Sequence, residues 1–406
     1  MSVLRQWSLW LLSSLVFMGC PKSQLKPIGT PVPDETGPAG TTDLFSGMDS
    51  GFMVPEDIPD AGASLETLDA GLTSTIDAGP QGPAYRLKFI ALGDVGVSDV
   101  GRPSSGQYAV AEAMGTFCEA KGGCDFAVML GDNIYMAGVD SATDPRWAAV
   151  FEDPYAALDF PFYATLGNHD YGSAVFGFGE GGAGMEPCVG EAQVAYGAIQ
   201  NKFIMPDTFY RFFKENVEFV SLNTTAMFWS DFSLIEEGLA CSLFDGWSFA
   251  DENERQRNDL ATWYAQRSAD WRIAFGHHPY LSNGRHGNAG AYELDFDWSL
   301  PGSGEELRVF FEEYIKSKFD VYLAGHDHSI QDVGEVGGTQ WIVSGAGAKA
   351  SEVEDRNPSA QFYEADKGFV YFDITPDEMK MSFVMVTVNA DGTATGEVRH
   401  TRTVTR

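Results

Sequence analysis

The chain has 406 residues, enough for one large domain or two ordinary ones, and 44% of them are hydrophobic, with 29 Phe and 9 Trp to build a sizeable core. Its 58 Asp and Glu against 26 Lys and Arg give a formal net charge of −32. That balance argues against a nucleic-acid partner, because neutralising phosphates takes Lys and Arg, and against electrostatic docking on an anionic membrane; its plainest effect is solubility.

The first twenty residues, "MSVLRQWSLWLLSSLVFMGC", combine Arg5, an apolar stretch from Trp7 to Met18, and Gly19 before Cys20. The stretch is too short and wrongly flanked to span a bilayer, and is expected to be a targeting signal. A small residue followed by Cys resembles a bacterial lipoprotein signal, with Cys20 as the lipidated N-terminus; Phe17 departs from the usual aliphatic residue there. A cell-envelope lipoprotein is therefore expected, with simple secretion or periplasmic release as the alternative.

Residues 21–84 are rich in Pro, Gly, Thr, Asp and Ala, repeat "DAG" three times, and carry no Lys or Arg between Lys26 and Arg86. So few large apolar side chains cannot offset the entropy of ordering, and like charges extend the chain, so a disordered acidic tether is expected. Apart from Cys20, four Cys remain, an even number that favours disulfides outside the cytoplasm. They allow three pairings. The turn "EAKGG" between Cys118 and Cys124 favours that pair, with Cys188–Cys241 as the second.

From residue 85 the pattern changes. Apolar runs of strand length cover 86–94, 124–133, 161–170, 271–278 and 319–328, and helical spacing covers 105–120, 145–158, 252–270 and 303–318. This alternation predicts an α/β catalytic domain over 85–406. The later runs "TQWIVSGAGA", "KGFVYFDITP" and "EMKMSFVMVTV" are expected to complete a second sheet.

Five of the strands end alike, in a small residue and then metal-ligand types: Gly93-Asp94, Gly131-Asp132-Asn133, Gly167-Asn168-His169-Asp170, Gly276-His277-His278 and Gly325-His326-Asp327-His328. Six of the seven histidines lie in or near these turns; only His400 does not. Strand carboxyl ends converge on the ligand crevice of an α/β sheet, and glycine lets the backbone turn sharply there. One Gly-Asp is weak evidence, but five after apolar strands predict a single Asp/Asn/His metal site. Oxygen and imidazole ligands without thiolate suit iron, manganese or zinc, and a pair of such ions can orient phosphate and activate water.

The ordered series Gly-Asp, Gly-Asp-Asn-x-Tyr, Gly-Asn-His-Asp, Gly-His-His-Pro and Gly-His-Asp-His resembles the calcineurin-like metallophosphoesterases, and within them the purple acid phosphatases of the tartrate-resistant type. Asp94 is followed by Val95 and Gly96, so the Asp-x-His that opens most of the superfamily is missing, as it is in the purple phosphatases, and Tyr135 stands three residues after Asp132. "QVAYGAIQNKFIMPDTFYRF", "GHHPYLSNGRHG" and "YLAGHDHSIQ" add to the match, which runs from about residue 86 to about residue 390.

The resemblance implies a four-layer α/β/β/α sandwich of two mixed β-sheets flanked by helices. It also implies that Asp94, Tyr135 and His328 hold a ferric ion, that Asp132 bridges, and that Asn168, His277 and His326 hold a divalent ion (Fe, Zn or Mn). His169 and His286 would serve at the phosphate as general acid or binding groups. His278 is expected to pack rather than ligate, and Asp170 and Asp327 to orient their turns. Such an ion pair carries more positive charge than Asp94, Asp132 and an ionised Tyr135 cancel, so the site attracts phosphate even in an acidic protein. The implied reaction is hydrolysis of small phosphate monoesters in mildly acidic medium, with hydroxide on the metals as nucleophile, by a monomer tied to the membrane only through its lipid. A phosphodiesterase or nucleotidase on the same metals is the alternative, and a non-catalytic surface-binding lipoprotein a weaker one. The Gly-rich stretch 173–191 has no Lys-Ser/Thr to make it a phosphate loop and is expected to lie over the site entrance, fastened by Cys188.

Overall fold

Leu87, Phe89 and Ala91 leave the first strand on one side and Ile90 and Leu92 on the other, and all five are buried. A strand buried on both faces belongs inside a layered sandwich. The computed structural model describes residues 84–96, 105–172, 187–230, 249–266, 268–292 and 304–406. The targeting segment, the tether up to residue 83, residues 173–186 of the Gly-rich stretch and the Cys188–Cys241 pairing lie outside the described residues.

Among the described residues, fourteen strands form two seven-stranded mixed sheets. The first runs β14 (Ala394–Thr405), β13 (Glu378–Val388), β12 (Gly368–Ile374), β1 (Leu87–Leu92), β2 (Phe126–Leu130), β3 (Phe162–Thr165) and β4 (Phe203–Ile204). The second runs β11 (Phe362–Glu364), β9 (Ile330–Val336), β10 (Thr339–Ser344), β8 (Val321–Ala324), β7 (Trp271–Phe275), β6 (Val217–Ser221) and β5 (Tyr210–Lys214). β1 to β4 are mutually parallel, as are β6, β7, β8 and β10; the remaining strands pair antiparallel.

The inner faces meet through aromatic rings. Phe89 stacks on Phe126 at 5.0 Å and on Phe372 at 4.4 Å within the first sheet, and meets Phe219 of the second edge-on at 5.3 Å. On the outer face of the first sheet, helix Ser105–Ala120 packs over β12 to β14, with Phe117 edge-on to Phe369 and Tyr371. Helices Thr224–Trp229, Phe249–Ala265 and Glu305–Phe310, the last continuing to Ile315, lie on the second-sheet side, where Phe311 packs on Tyr322 and Trp341. The four-layer α/β/β/α sandwich is thus present.

Two expectations need correction. The late strands do not all join a second sheet: β10 does, but β12 pairs back onto β1, and β13 and then β14 add beyond it, enlarging the first sheet. The helix expected over 145–158 is helical only across 146–152: Trp147, Val150, Phe151, Tyr155 and Leu158 bury one face along the whole segment, with Trp147 and Phe151 packed on Tyr196 and Phe203, but Pro154 cannot continue the helical hydrogen bonding and the chain goes on in turns. A disulfide joins Cys118 to Cys124 across the turn that leaves the first helix.

Candidate metal centre

Because β1, β2 and β3 are parallel, their carboxyl ends open on one edge of the first sheet, and β7 and β8 do the same in the second. The turns at those ends meet closely. A Cβ on Gly325 would stand 2.6 Å from Asp94 Oδ2, and one on Gly131 would stand 2.8 Å from His277 Nδ1, so only glycine fits. Three of the proposed ligands take left-handed backbone, with φ of 58° at Asp94, 51° at Asp132 and 68° at His326. Non-glycine residues adopt that conformation rarely, and strain of this kind concentrates where side chains must be aimed.

The residues form two adjoining groups. In the first, the Tyr135 hydroxyl donates to Asp94 Oδ1 at 3.0 Å and lies 3.1 Å from His328 Nε2, which is itself 3.3 Å from Asp94 Oδ1. In the second, His277 Nε2 lies 3.0 Å from Asn168 Oδ1 and 3.1 Å from His326 Nδ1. Asp132 links the groups: its Oδ1 is 3.4 Å from His277 Nε2, and Asp94, Asp132 and His277 each offer an atom within 4.8 Å of the others. His277 Nδ1 faces the Leu130 carbonyl at 2.9 Å, which fixes the proton there and leaves Nε2 free to ligate. All seven residues named as ligands from the sequence are therefore brought together.

His169 and His286 stand at the open side. The His169 ring lies 4.3 Å from the Tyr135 ring, its Nδ1 is 2.8 Å from the Met136 carbonyl and its amide donates to Asp132 Oδ1 at 2.9 Å. The His286 ring lies 4.3 Å from that of His326. His278 packs behind the group: its Nδ1 is 3.0 Å from Thr224 Oγ1, its ring stacks on Phe228, and it lies 4.6 Å from the His326 ring.

Buried polar groups hold the turns. Asp170 accepts from the amides of Gly167 (2.8 Å), Asn133 (3.1 Å) and Ile134 (3.0 Å) and from Gln193 Nε2 (2.6 Å), tying the β2 and β3 turns together. Asp327 Oδ1 accepts the His286 amide at 2.8 Å. Thr224 Oγ1 accepts the amides of His277 and His278. Sequence reasoning missed Thr224, which follows no motif, and Lys349, whose ammonium lies 4.2 Å over the Tyr135 ring. "GAGA" before Lys349, a run of small residues after an apolar strand, was the one available signal.

The electrostatics fit cations. Asp94, Asp132 and Tyr135 are buried together. Burial pushes the Asp94 carboxyl up to about 7, partly offset by His277, and burial with the two neighbouring carboxylates raises the Tyr135 phenol well above its ordinary value. Burial also works to raise Asp132, but His277 and His169 outweigh it and hold that carboxyl low. Burial lowers His328 to about 3 and takes His326 well below the ordinary imidazole range, which keeps both rings neutral and able to ligate. Three acidic groups packed this closely can ionise together only around positive charge, and the set offers hard oxygens and imidazoles without thiolate, which suits iron, zinc or manganese.

A model of the calcineurin-like phosphoesterase family matches residues 87–329. The chain is 26% identical over 325 residues to tartrate-resistant acid phosphatase type 5 of Mus musculus, covering 74% of this chain and 88% of that one. Among solved structures, GAP50, the anchor in the inner membrane complex of Plasmodium, superimposes with a TM-score of 0.57 at 22% identity over 79% of this chain and 89% of its own. Purple acid phosphatase PPD1 from yellow lupin (Lupinus luteus) seeds does so with a TM-score of 0.53 at 16% identity, over 80% of this chain and 54% of its own.

Proposed function

The chain belongs to the calcineurin-like phosphoesterase family and is a metal-dependent phosphoester hydrolase, and from that premise we propose that it cleaves phosphate monoesters as an acid phosphatase. Its centre would be dinuclear, with Asp94, Tyr135 and His328 around Fe(III), Asn168, His277 and His326 around Fe, Zn or Mn as a divalent ion, and Asp132 between them. The observation that carries this assignment is the Tyr135 hydroxyl set between Asp94 and His328, because a phenol among those donors suits a ferric ion better than a purely divalent pair. When bound, such a pair supplies an activated water and charge stabilisation for the transferring phosphoryl group.

The protein's own groups do the rest. With Nδ1 held at the Met136 carbonyl, His169 presents Nε2 to the crevice, where it can hold a proton for the departing oxygen. His286, steadied through its amide by Asp327, offers a second group to the phosphate from the other side of His326. Purified full-length protein should contain iron and one divalent metal in similar amounts, be coloured, and turn over 4-nitrophenyl phosphate best in mildly acidic buffer, with bis(4-nitrophenyl) phosphate much slower. Hydrolysis of diesters alone would move the assignment to a phosphodiesterase, and two zinc ions without colour would remove the ferric ion.

We further propose that the enzyme is an exported envelope lipoprotein, a monomer acting on small soluble esters without nucleic acid. The support is the apolar segment ending in Gly19-Cys20 and the acidic stretch behind it. A Cys20→Ser form should leave the membrane fraction and lose acyl label, whereas an unlabelled, soluble wild type would indicate plain secretion.

A further inference from the structure

Lys349 is a cation whose position the assigned chemistry does not use. Its residue is exposed, yet its ammonium is parked 4.2 Å from the centre of the buried Tyr135 ring. No carboxylate among the described residues stands within ion-pair distance of it, although its charge reaches the Asp94 carboxylate and the His328 ring beneath the tyrosine.

The backbone around Lys349 is fixed rather than loose. Two residues before it, the Gly347 amide donates to the Gly93 carbonyl at 3.0 Å; two after it, the Ser351 amide donates to the His328 carbonyl at 2.7 Å. Ser351 Oγ also lies 3.3 Å from His328 Nδ1, and the Glu354 amide donates to the Asn283 carbonyl at 2.7 Å. The segment is thus clamped to the turn that carries Asp94 and to the turn that carries His328. Of the acids on its own segment, Glu354 pairs with Arg356 at 3.2 Å. His169 packs on the same tyrosine ring at 4.3 Å, so the ammonium and the proposed phosphate-side imidazole share one support at the mouth.

Taking the phosphatase reading as given, we propose that Lys349 binds a second anionic group on the substrate, so that the preferred esters carry a further phosphate or carboxylate beside the phosphoryl group that is cleaved. The physical reason is economy of charge. The ions and the two mouth histidines serve the transferred phosphoryl, and an ammonium held over the tyrosine ring just outside them is complementary to negative charge on the remainder of the substrate. A lone cation over an aromatic face also remains available, because the ring satisfies it weakly and can surrender it to a stronger anionic partner.

The test uses full-length, metal-loaded protein and two non-hydrolysable probes, methylphosphonate and methylenediphosphonate, with affinities measured by calorimetry. Wild type should bind the diphosphonate more tightly than the monophosphonate. In Lys349→Gln the ratio of the two affinities should fall roughly 10-fold, and Lys349→Arg should restore most of it. A ratio unchanged by Lys349→Gln overturns the inference, and so does an equal loss for both probes, which would mean that the ammonium acts on the centre as a whole. Turnover of 4-nitrophenyl phosphate by wild type reports separately on the phosphatase reading. A wild type active on that ester with a probe ratio indifferent to Lys349 overturns this inference alone.

Discussion

Tyr135 and Asp94, 41 positions apart in sequence, meet through a 3.0 Å hydrogen bond from the phenol to Oδ1. The bond joins the turn after β2 to the turn after β1 and places the phenol oxygen beside His328. Replacing Tyr135 by Phe keeps the ring and its packing against His169 and Lys349 while deleting that oxygen. Iron-loaded Tyr135→Phe should lose the visible absorption of the wild type yet retain bound metal through Asp94, Asp132 and His328. A visible band that survives the substitution would place the chromophore elsewhere.

His169 separates proton transfer from metal electronics. Its imidazole faces the crevice, and none of the hydrogen bonds of the first metal group passes through it. His169→Ala should therefore keep the visible spectrum while kcat falls roughly 10²–10⁴-fold, the range for losing a general acid or base. If His169→Ala bleached the protein at unchanged turnover, the roles given to His169 and Tyr135 would have to be exchanged.

Asp170 tests the turn architecture. It accepts three amides and the Gln193 side chain in a fully buried position. Asp170→Ala strands those donors away from water, so stability should drop by about 2–4 kcal/mol, read from the urea midpoint. Metal content should fall as well, since Asn133 and Gly167 flank two ligands. A stability loss without any change in metal affinity would show that the turns hold their shape independently.

Glu191 predicts a pH dependence of stability away from the metals. Burial, then the neighbouring Asp207 and Glu252, raise its carboxyl from an ordinary 4.5 to about 7, against the opposing pull of Arg255. Between those two values the folded state holds the proton more tightly than the unfolded chain, so stability falls as pH rises from 4.5 to about 7 and stays at the lower level above it. Glu191→Gln should flatten this part of the melting-temperature profile. Parallel profiles for variant and wild type across that window would remove Glu191 as the cause.

The Cys118–Cys124 disulfide closes a short loop at the end of the first helix. On the chain-entropy model a loop of this size contributes about 2 kcal/mol, so Cys118→Ser with Cys124→Ser should lower the unfolding free energy by that much and the urea midpoint with it, while leaving metal binding intact. No shift would mean that the turn through Gly122 and Gly123 is already as restricted in the unfolded chain.

The sequence by itself singled out the candidate ligands that the fold brings together, and the reason is local. Apolar runs stopping at Gly-Asp or Gly-His mark strand ends, and parallel strands put such ends on one edge, so Asp94, Asp132, Asn168, His277, His326 and His328 could be grouped without coordinates. Tyr135 was added only by the resemblance to the purple acid phosphatases, and the Cys118–Cys124 bridge came from the turn between the two cysteines. The tertiary structure alone decided what depends on distant partners. "KGFVYFDITP" and "EMKMSFVMVTV" read as strands, but period-two alternation says nothing of which sheet they join; pairing β12 with β1 needs an interaction across some 280 residues of chain. The left-handed backbone at Asp94, Asp132 and His326 is likewise invisible in residue type, because strain at a non-glycine position is imposed by neighbours. So is the place of Lys349. The run of small residues before it marks a turn but says nothing of where the lysine points, and only the clamping of its segment to Gly93 and His328 carries its charge to the face of Tyr135.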